Sequence, residues 1–148
     1  MGADGDAVAL WDHGALDPPT PPELAAHPAF PTDVEQRLDT YDDLVERLVP
    51  DEPHAYLGVL ACRPDDAAAP ATGSARRRRG LGRRTAAPGI DLALTHGMPA
   101  VLETTNPLNV EMYQRADWTV HAVSDELMPE LRVWIMRHDG TGRDQQQQ

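Results

Sequence analysis

Two groups of residues in this 148-residue chain have the types and spacing to do chemistry. The first is Arg77-Arg78-Arg79-Gly80-Leu81-Gly82, continued by Arg83 and Arg84. A glycine pair at a helix entrance lets backbone N–H groups approach an anion closely, and the helix dipole favours negative charge at that end. Guanidinium groups on both sides add charge-assisted donors suited to phosphate oxygens. Alone, the run fits a phosphate-bearing ligand, a solvated arginine stretch or a nucleic acid. The second group is Asn106, Asn109 and Tyr113, spaced i, i+3 and i+7, which puts two amides and a phenol on one helix face. That face also has a plain structural reading, with Asn106 capping, Asn109 exposed and Tyr113 filling core.

A sheet has to bring these groups together. Residues 54–62 are apolar on both alternating faces, the pattern of a central strand covered on both sides. Residues 80–96 read as a loop entering a helix that stops before Gly97, with Pro88 expected to kink its early turns. Residues 99–104 form another short strand, and Asn106-Pro107 caps and opens a helix running to about Arg115. Residues 118–123 and 131–137 make two further strands, antiparallel across a polar connection at 124–130. The order is α/β, layered around a sheet of mixed direction, and a ligand is expected where strand ends meet helix starts.

Upstream, residues 7–11 have the apolar density of a short strand, and the proline-dense stretch 17–31 admits no long helix or strand. Thr32-Asp33-Val34-Glu35 reads as a capping box for an amphipathic helix built on Val34, Leu38, Tyr41, Val45 and Leu48 and stopped near Pro50. Its outer face, with Glu35, Asp39, Asp42, Asp43 and Glu46, reads as solvated. One domain over residues 7–138 accounts for these elements. Residues 1–6 are expected to fray, 65–75 to form a flexible insertion, and 139–148 to be a disordered polar tail.

The net charge of −11 is uneven, since residues 1–66 carry 15 acids and three arginines, and residues 67–148 carry nine acids and ten arginines. Six of those ten lie within residues 76–84, so a polyanionic partner would dock there. The rest of the chain is acidic and the run has no interleaved aromatic, so a nucleic acid is not the expected partner. No apolar run approaches the ~20 residues of a membrane span, and the expected location is cytoplasmic. Cys62, the only cysteine, excludes an internal disulfide or a cysteine-based zinc site and reads as a small core residue; no metal is expected.

Taken in order, Gly-Val-Leu-Ala-Cys-Arg-Pro-Asp from Gly58, Arg-Arg-Arg-Gly-Leu-Gly from Arg77, and Pro-Ala-Val-Leu-Glu-Thr-Thr-Asn-Pro-Leu-Asn-Val-Glu-Met-Tyr-Gln-Arg-Ala-Asp-Trp from Pro99 resemble the GNAT N-acetyltransferases. Glu52-Pro53-His54-Ala55-Tyr56 and Val133-Trp134-Ile135-Met136 look particularly like the branch containing puromycin N-acetyltransferase. The resemblance covers residues 7–12 and 52–137. It implies a GNAT-like mixed sheet flanked by helices on both faces, and transfer of an acetyl group from acetyl-CoA to a primary amine of a small molecule. It also implies that Leu60, Ala61 and Cys62 lie on the strand whose backbone holds the pantetheine arm, and that residues 77–83 cradle the pyrophosphate. Asn109, with Asn106, would contact the cofactor, and Tyr113 would donate a proton to the departing thiolate. Glu103 and Glu52 are the candidate bases for the ammonium form of the acceptor; a strand-end hydrogen-bonding role is the other reading of Glu103.

The sequence departs from the family at four points. The strand, two helices and further strand that the family places first have no counterpart, which makes the fold an N-terminally shortened one. That would leave apolar sheet surface exposed or covered by another chain, so a homodimer is a candidate assembly. Residues 65–75 lengthen a link that the family keeps short, and Arg83-Arg84-Thr85 replaces small and apolar residues. Asp117 stands where the family prefers glycine, so its turn is expected to be less comfortable. The competing reading is a shortened, non-catalytic relative that at most binds CoA.

Overall fold

The structure is a computed structural model that describes residues 6–19, 21, 30–63 and 80–140. Five strands form one mixed sheet: β1 (Ala7–Asp12), β2 (Ala55–Cys62), β3 (Ala100–Thr104), β4 (Thr119–Met128) and β5 (Leu131–His138), in the order β1-β2-β3-β5-β4. Only the β2–β3 pair is parallel. Among the described residues three α-helices flank the sheet: α1 (Thr32–Leu48), α2 (Leu81–Thr95) and α3 (Pro107–Gln114). The expected α/β layering around a mixed sheet is therefore the one observed.

β3 carries the fold because its two faces go to two different cores. Ala100 and Leu102 pack with Leu57, Met136, Trp118, Ala86 of α2 and Val110 of α3. Val101 faces the other way, with Ile135 and Val45 of α1. Alternation along one strand thus assigns α2 and α3 to one side of the sheet and α1 to the other.

Each helix end has a local cause. Asn106, in extended conformation, accepts a hydrogen bond from Leu108 N at 3.0 Å, and Pro107 follows at the first helical position. α2 closes at Gly97, whose φ of 71° suits a residue without a Cβ. Pro88 lies within α2, and the helix continues through it to Thr95. Next to it, Gly89 lets α2 press on β1: a Cβ there would stand 2.2 Å from the Trp11 ring.

Four expectations are corrected. The capping box at residues 32–35 is not made, because the helix already starts at Thr32 and Pro31 stands at the cap position without a side-chain bond. Leu44, not Leu38, anchors α1: Leu44 is fully buried and Leu38 is 44% exposed. Residues 124–128, expected to form a polar connection, continue β4, since an edge strand with one side in water accepts Ser124, Asp125 and Glu126 there; only Pro129 and Glu130 turn. β2 is central in the sheet order, yet it is buried only at its start. Val8 and Leu10 on β1 and Val59 on β2 are exposed. Among the described residues no helix is long and apolar enough to cross a membrane.

Candidate functional site

The site begins where two strands part. β2 and β3 pair only at Ala55–Ala100 and Tyr56–Val101, and β2 then runs on for six residues to Cys62 without further pairing to β3. Burial drops at the same point, from a buried Leu57 to an exposed Gly58 and Val59. On its other edge β2 stays paired with β1, but Leu10 matches Val59 and Trp11 matches Leu57, so Gly58 is an extra residue. That bulge shifts the alternation and turns Leu60 and Cys62 to the α2 side, the side of Leu57. A bulge re-aims side chains and backbone in this way at low cost when glycine occupies it.

Against this freed strand stands the amino end of α2. Gly80 takes the left-handed conformation (φ 77°, ψ 8°) that leads into the helix, and no side chain caps it. The ladder starts with Arg84 N donating to Gly80 O at 3.0 Å, so the N–H groups of Leu81, Gly82 and Arg83 have no acceptor within the helix. Gly82 lies beside β2: a Cβ on it would meet Leu60 Cδ2 at 3.6 Å and Cys62 Sγ at 3.7 Å. Three aligned donors at the positive end of a fifteen-residue helix make a place for an anion.

α3 closes the other wall with Asn109, Met112 and Tyr113, and the groove between the walls measures about 790 Å³. Tyr113 packs edge-on against Trp118, with ring centroids 5.8 Å apart. Burial, and secondarily the neighbouring Cys62, push its phenol above the ordinary value, so it stays protonated at neutral pH. Asn109 Nδ2 donates to Thr104 Oγ1 at 3.3 Å, which fixes the amide at the groove edge. Beyond Arg83 the groove reaches Asp117 and His138. Asp117 is the one non-glycine residue with positive φ among the described residues, at 71°, as its misfit in the sequence pattern foreshadowed. It holds the Arg83 guanidinium at 3.2 Å. Burial lowers the pKa of His138, whose ring meets Trp118 edge-on at 5.4 Å.

Leu60, Cys62, Gly80, Leu81, Gly82, Arg83, Asn109 and Tyr113 thus line one groove, although they come from three separate parts of the chain. Cys62 is exposed in it and is not the core residue expected. Ala61 points elsewhere, and Asn106 serves as the helix cap instead of lining the groove. Arg77, Arg78 and Arg79 lie outside the described residues. Glu52 is tied to Arg137 on β5. Glu103 lies on the α1 face of the sheet, where Tyr41 and Tyr56 stand beside it. Burial first, and then hydrogen bonding to the Glu103 carboxylate and its charge, raise the pKa of both phenols. The sequence had singled out neither tyrosine for chemistry. Tyr41 looked like one more core position, and Tyr56 becomes Glu103's neighbour only through the β2–β3 register.

No protein-family model matches the chain. Solved structures similar to it include a candidate acetyltransferase of the GNAT family from Desulfovibrio desulfuricans, at 25% identity and a TM-score of 0.45, covering 60% of this chain and 55% of that one. Naa20 from Chaetomium thermophilum, solved with a bisubstrate analogue, is 20% identical with a TM-score of 0.45, over 68% of this chain and 56% of that one. A candidate acetyltransferase from Agrobacterium tumefaciens is 15% identical with a TM-score of 0.40, over 76% of this chain and 96% of that one. The chain thus spans little more than half the length of the first two.

Proposed function

We propose that this chain is an acetyl-CoA-dependent N-acetyltransferase acting on a primary amine of a small molecule. The observation that carries this reading is the parting of β2 from β3 beyond Tyr56, with an anion-suited helix end on one side of the opening and Tyr113 on the other. The residues present fit the cosubstrate. The amides of Leu81, Gly82 and Arg83, which have no acceptor within the helix, suit a pyrophosphate together with the Arg83 side chain. The exposed β2 backbone over Leu60, Ala61 and Cys62 suits an amide-bearing pantetheine arm, as an added strand would. Asn109 stands at the groove edge to meet it.

A thioester supplies an already activated acetyl group, so the protein's task is to position the amine and to manage protons. The nitrogen lone pair forms the new C–N bond, the C–S bond breaks, and its electron pair leaves with sulfur. Backbone donors along the freed part of β2 stabilise the charge that develops on the carbonyl oxygen. Tyr113 donates a hydrogen bond to the departing sulfur. Burial raises its pKa further above that of a thiol, which makes full proton transfer to the thiolate uphill, so charge stabilisation is its main contribution. Glu103, at the end of β3, accepts the proton that nitrogen must lose.

The test is release of free thiol from acetyl-CoA in the presence of a panel of primary amines. The wild-type chain should turn over at least one of them, and Tyr113→Phe should lower kcat about 100-fold while the KM for acetyl-CoA stays within about twofold. Stabilisation by CoA with no thiol release for any amine would instead identify a binding protein without turnover.

A further inference from the structure

Glu103 is not placed like an ordinary strand-end carboxylate. Its Oε2 is buried and meets no described donor at hydrogen-bond geometry, although the Tyr41 and Tyr56 hydroxyls lie close enough to donate toward the same carboxylate. Continuing the β2–β3 register past its last pair, Tyr56–Val101, sets Glu103 beside the Gly58 bulge, where the strands part. Two half-buried phenols, Tyr56 from β2 and Tyr41 from α1, flank it on an otherwise apolar patch formed by Val45, Val101 and Ile135. A buried carboxylate oxygen without a donor is costly unless something with N–H or O–H groups meets it.

The charge around this cluster has one sign. α1 carries Asp33, Glu35, Asp39, Asp42, Asp43 and Glu46 against Arg37 and Arg47, and Asp42 is near enough to act on both phenols. Arg47 is paired with Glu126. Arg137, which the register places on the same face, is already held between Glu52 and Asp139. The surface therefore attracts cations and repels anions.

We propose that Glu103, Tyr41 and Tyr56 are the receptor for the acceptor's nitrogen, and that the acceptor is a small primary amine with no carboxylate near that nitrogen, entering on the α1 face. The assignment rests on the acetyltransferase reading for its meaning, but not for its test. An alkylammonium has three N–H donors, and Glu103 Oε2 with the two phenol oxygens offers three acceptors. Moving one proton from nitrogen to Glu103 leaves a neutral amine at the opening between β2 and β3. A carboxylate on the acceptor would meet the acidic face of α1 instead of a counter-ion.

Amide-resolved NMR titrations of the full chain with propylamine, and with β-alanine as its carboxylate-bearing match, test this. Propylamine should perturb the amides around Tyr41, Tyr56 and Glu103 at millimolar concentration, and β-alanine should bind at least about tenfold more weakly. Glu103→Gln, which keeps the shape, should weaken propylamine about tenfold, and Tyr41→Phe about fivefold, the loss of one hydrogen bond. CoA-induced stabilisation, unchanged in both variants, shows that they fold. Equal binding of the two probes, shifts centred elsewhere, or binding indifferent to Glu103→Gln would overturn the receptor. Propylamine bound at Glu103 with no turnover of any amine would keep the receptor and overturn the transferase reading; turnover of propylamine untouched by Glu103→Gln would do the reverse.

Discussion

The two faces of the sheet present their polar groups by different means. On the α2 and α3 side the donors are backbone: the amides of residues 81–83, which have no acceptor within the helix, and the edge of β2 that β3 leaves free. On the α1 side the polar groups are side chains: an accepting carboxylate and two phenols set into an apolar patch. Backbone donors are fixed by where a helix starts and where strands part, and they suit a long ligand bearing phosphates and amides. Side-chain groups can be chosen one by one and suit a small ligand whose charge matters. The difference teaches that, on the proposed reading, this scaffold can hold one constant ligand with its main chain while leaving acceptor choice to substitution.

That contrast can be broken first at the scaffold. Gly89→Ala places a methyl group inside the Trp11 ring and pushes α2 off β1, so denaturant unfolding should show a loss of about 3 kcal/mol. A loss below about 1 kcal/mol would mean that α2 is not clamped to the sheet there.

The contrast can be sharpened at Asp117. Asp117→Gly removes a side chain from a left-handed turn and releases Arg83, so it should stabilise the chain by up to about 1 kcal/mol. Calorimetry should show CoA binding tightened a few-fold, with propylamine binding unaffected. Weaker CoA binding would show that Asp117 orients Arg83 instead of competing for it.

The smallest effect is a pH dependence on the groove side. Burial lowers the folded-state pKa of His138, so the unfolded chain binds the proton more readily. Stability should be full above the unfolded value of about 6.5 and should be lost as pH falls through the lower folded value. Denaturation midpoints measured above and below about pH 6.5 should show this slope, and His138→Asn should flatten it.

The groove face was far more legible in the sequence than the α1 face. Gly80 and Gly82 announce a helix start that lacks a capping side chain, and Asn109 and Tyr113 share a face through helical spacing alone, a property of neighbours along the chain. Glu103, Tyr41 and Tyr56 come together only through the β2–β3 register and the docking of α1, which no local pattern encodes. The Gly58 bulge was hidden for the same reason: an extra residue is defined only against the partner strand. Cys62 reads as a core residue in the sequence, but its burial depends on β3 staying paired with β2, and β3 does not.

The central claim, that the groove between α2, α3 and the freed part of β2 holds CoA, is tested most directly by amide-resolved NMR titration with CoA. The largest shifts should fall on Leu81, Gly82 and Arg83 at the helix end and on Leu60 and Cys62 of β2, with Asn109 and Tyr113 next and little change around Tyr41. No shifts at millimolar CoA, or shifts centred away from the amino end of α2, would contradict it.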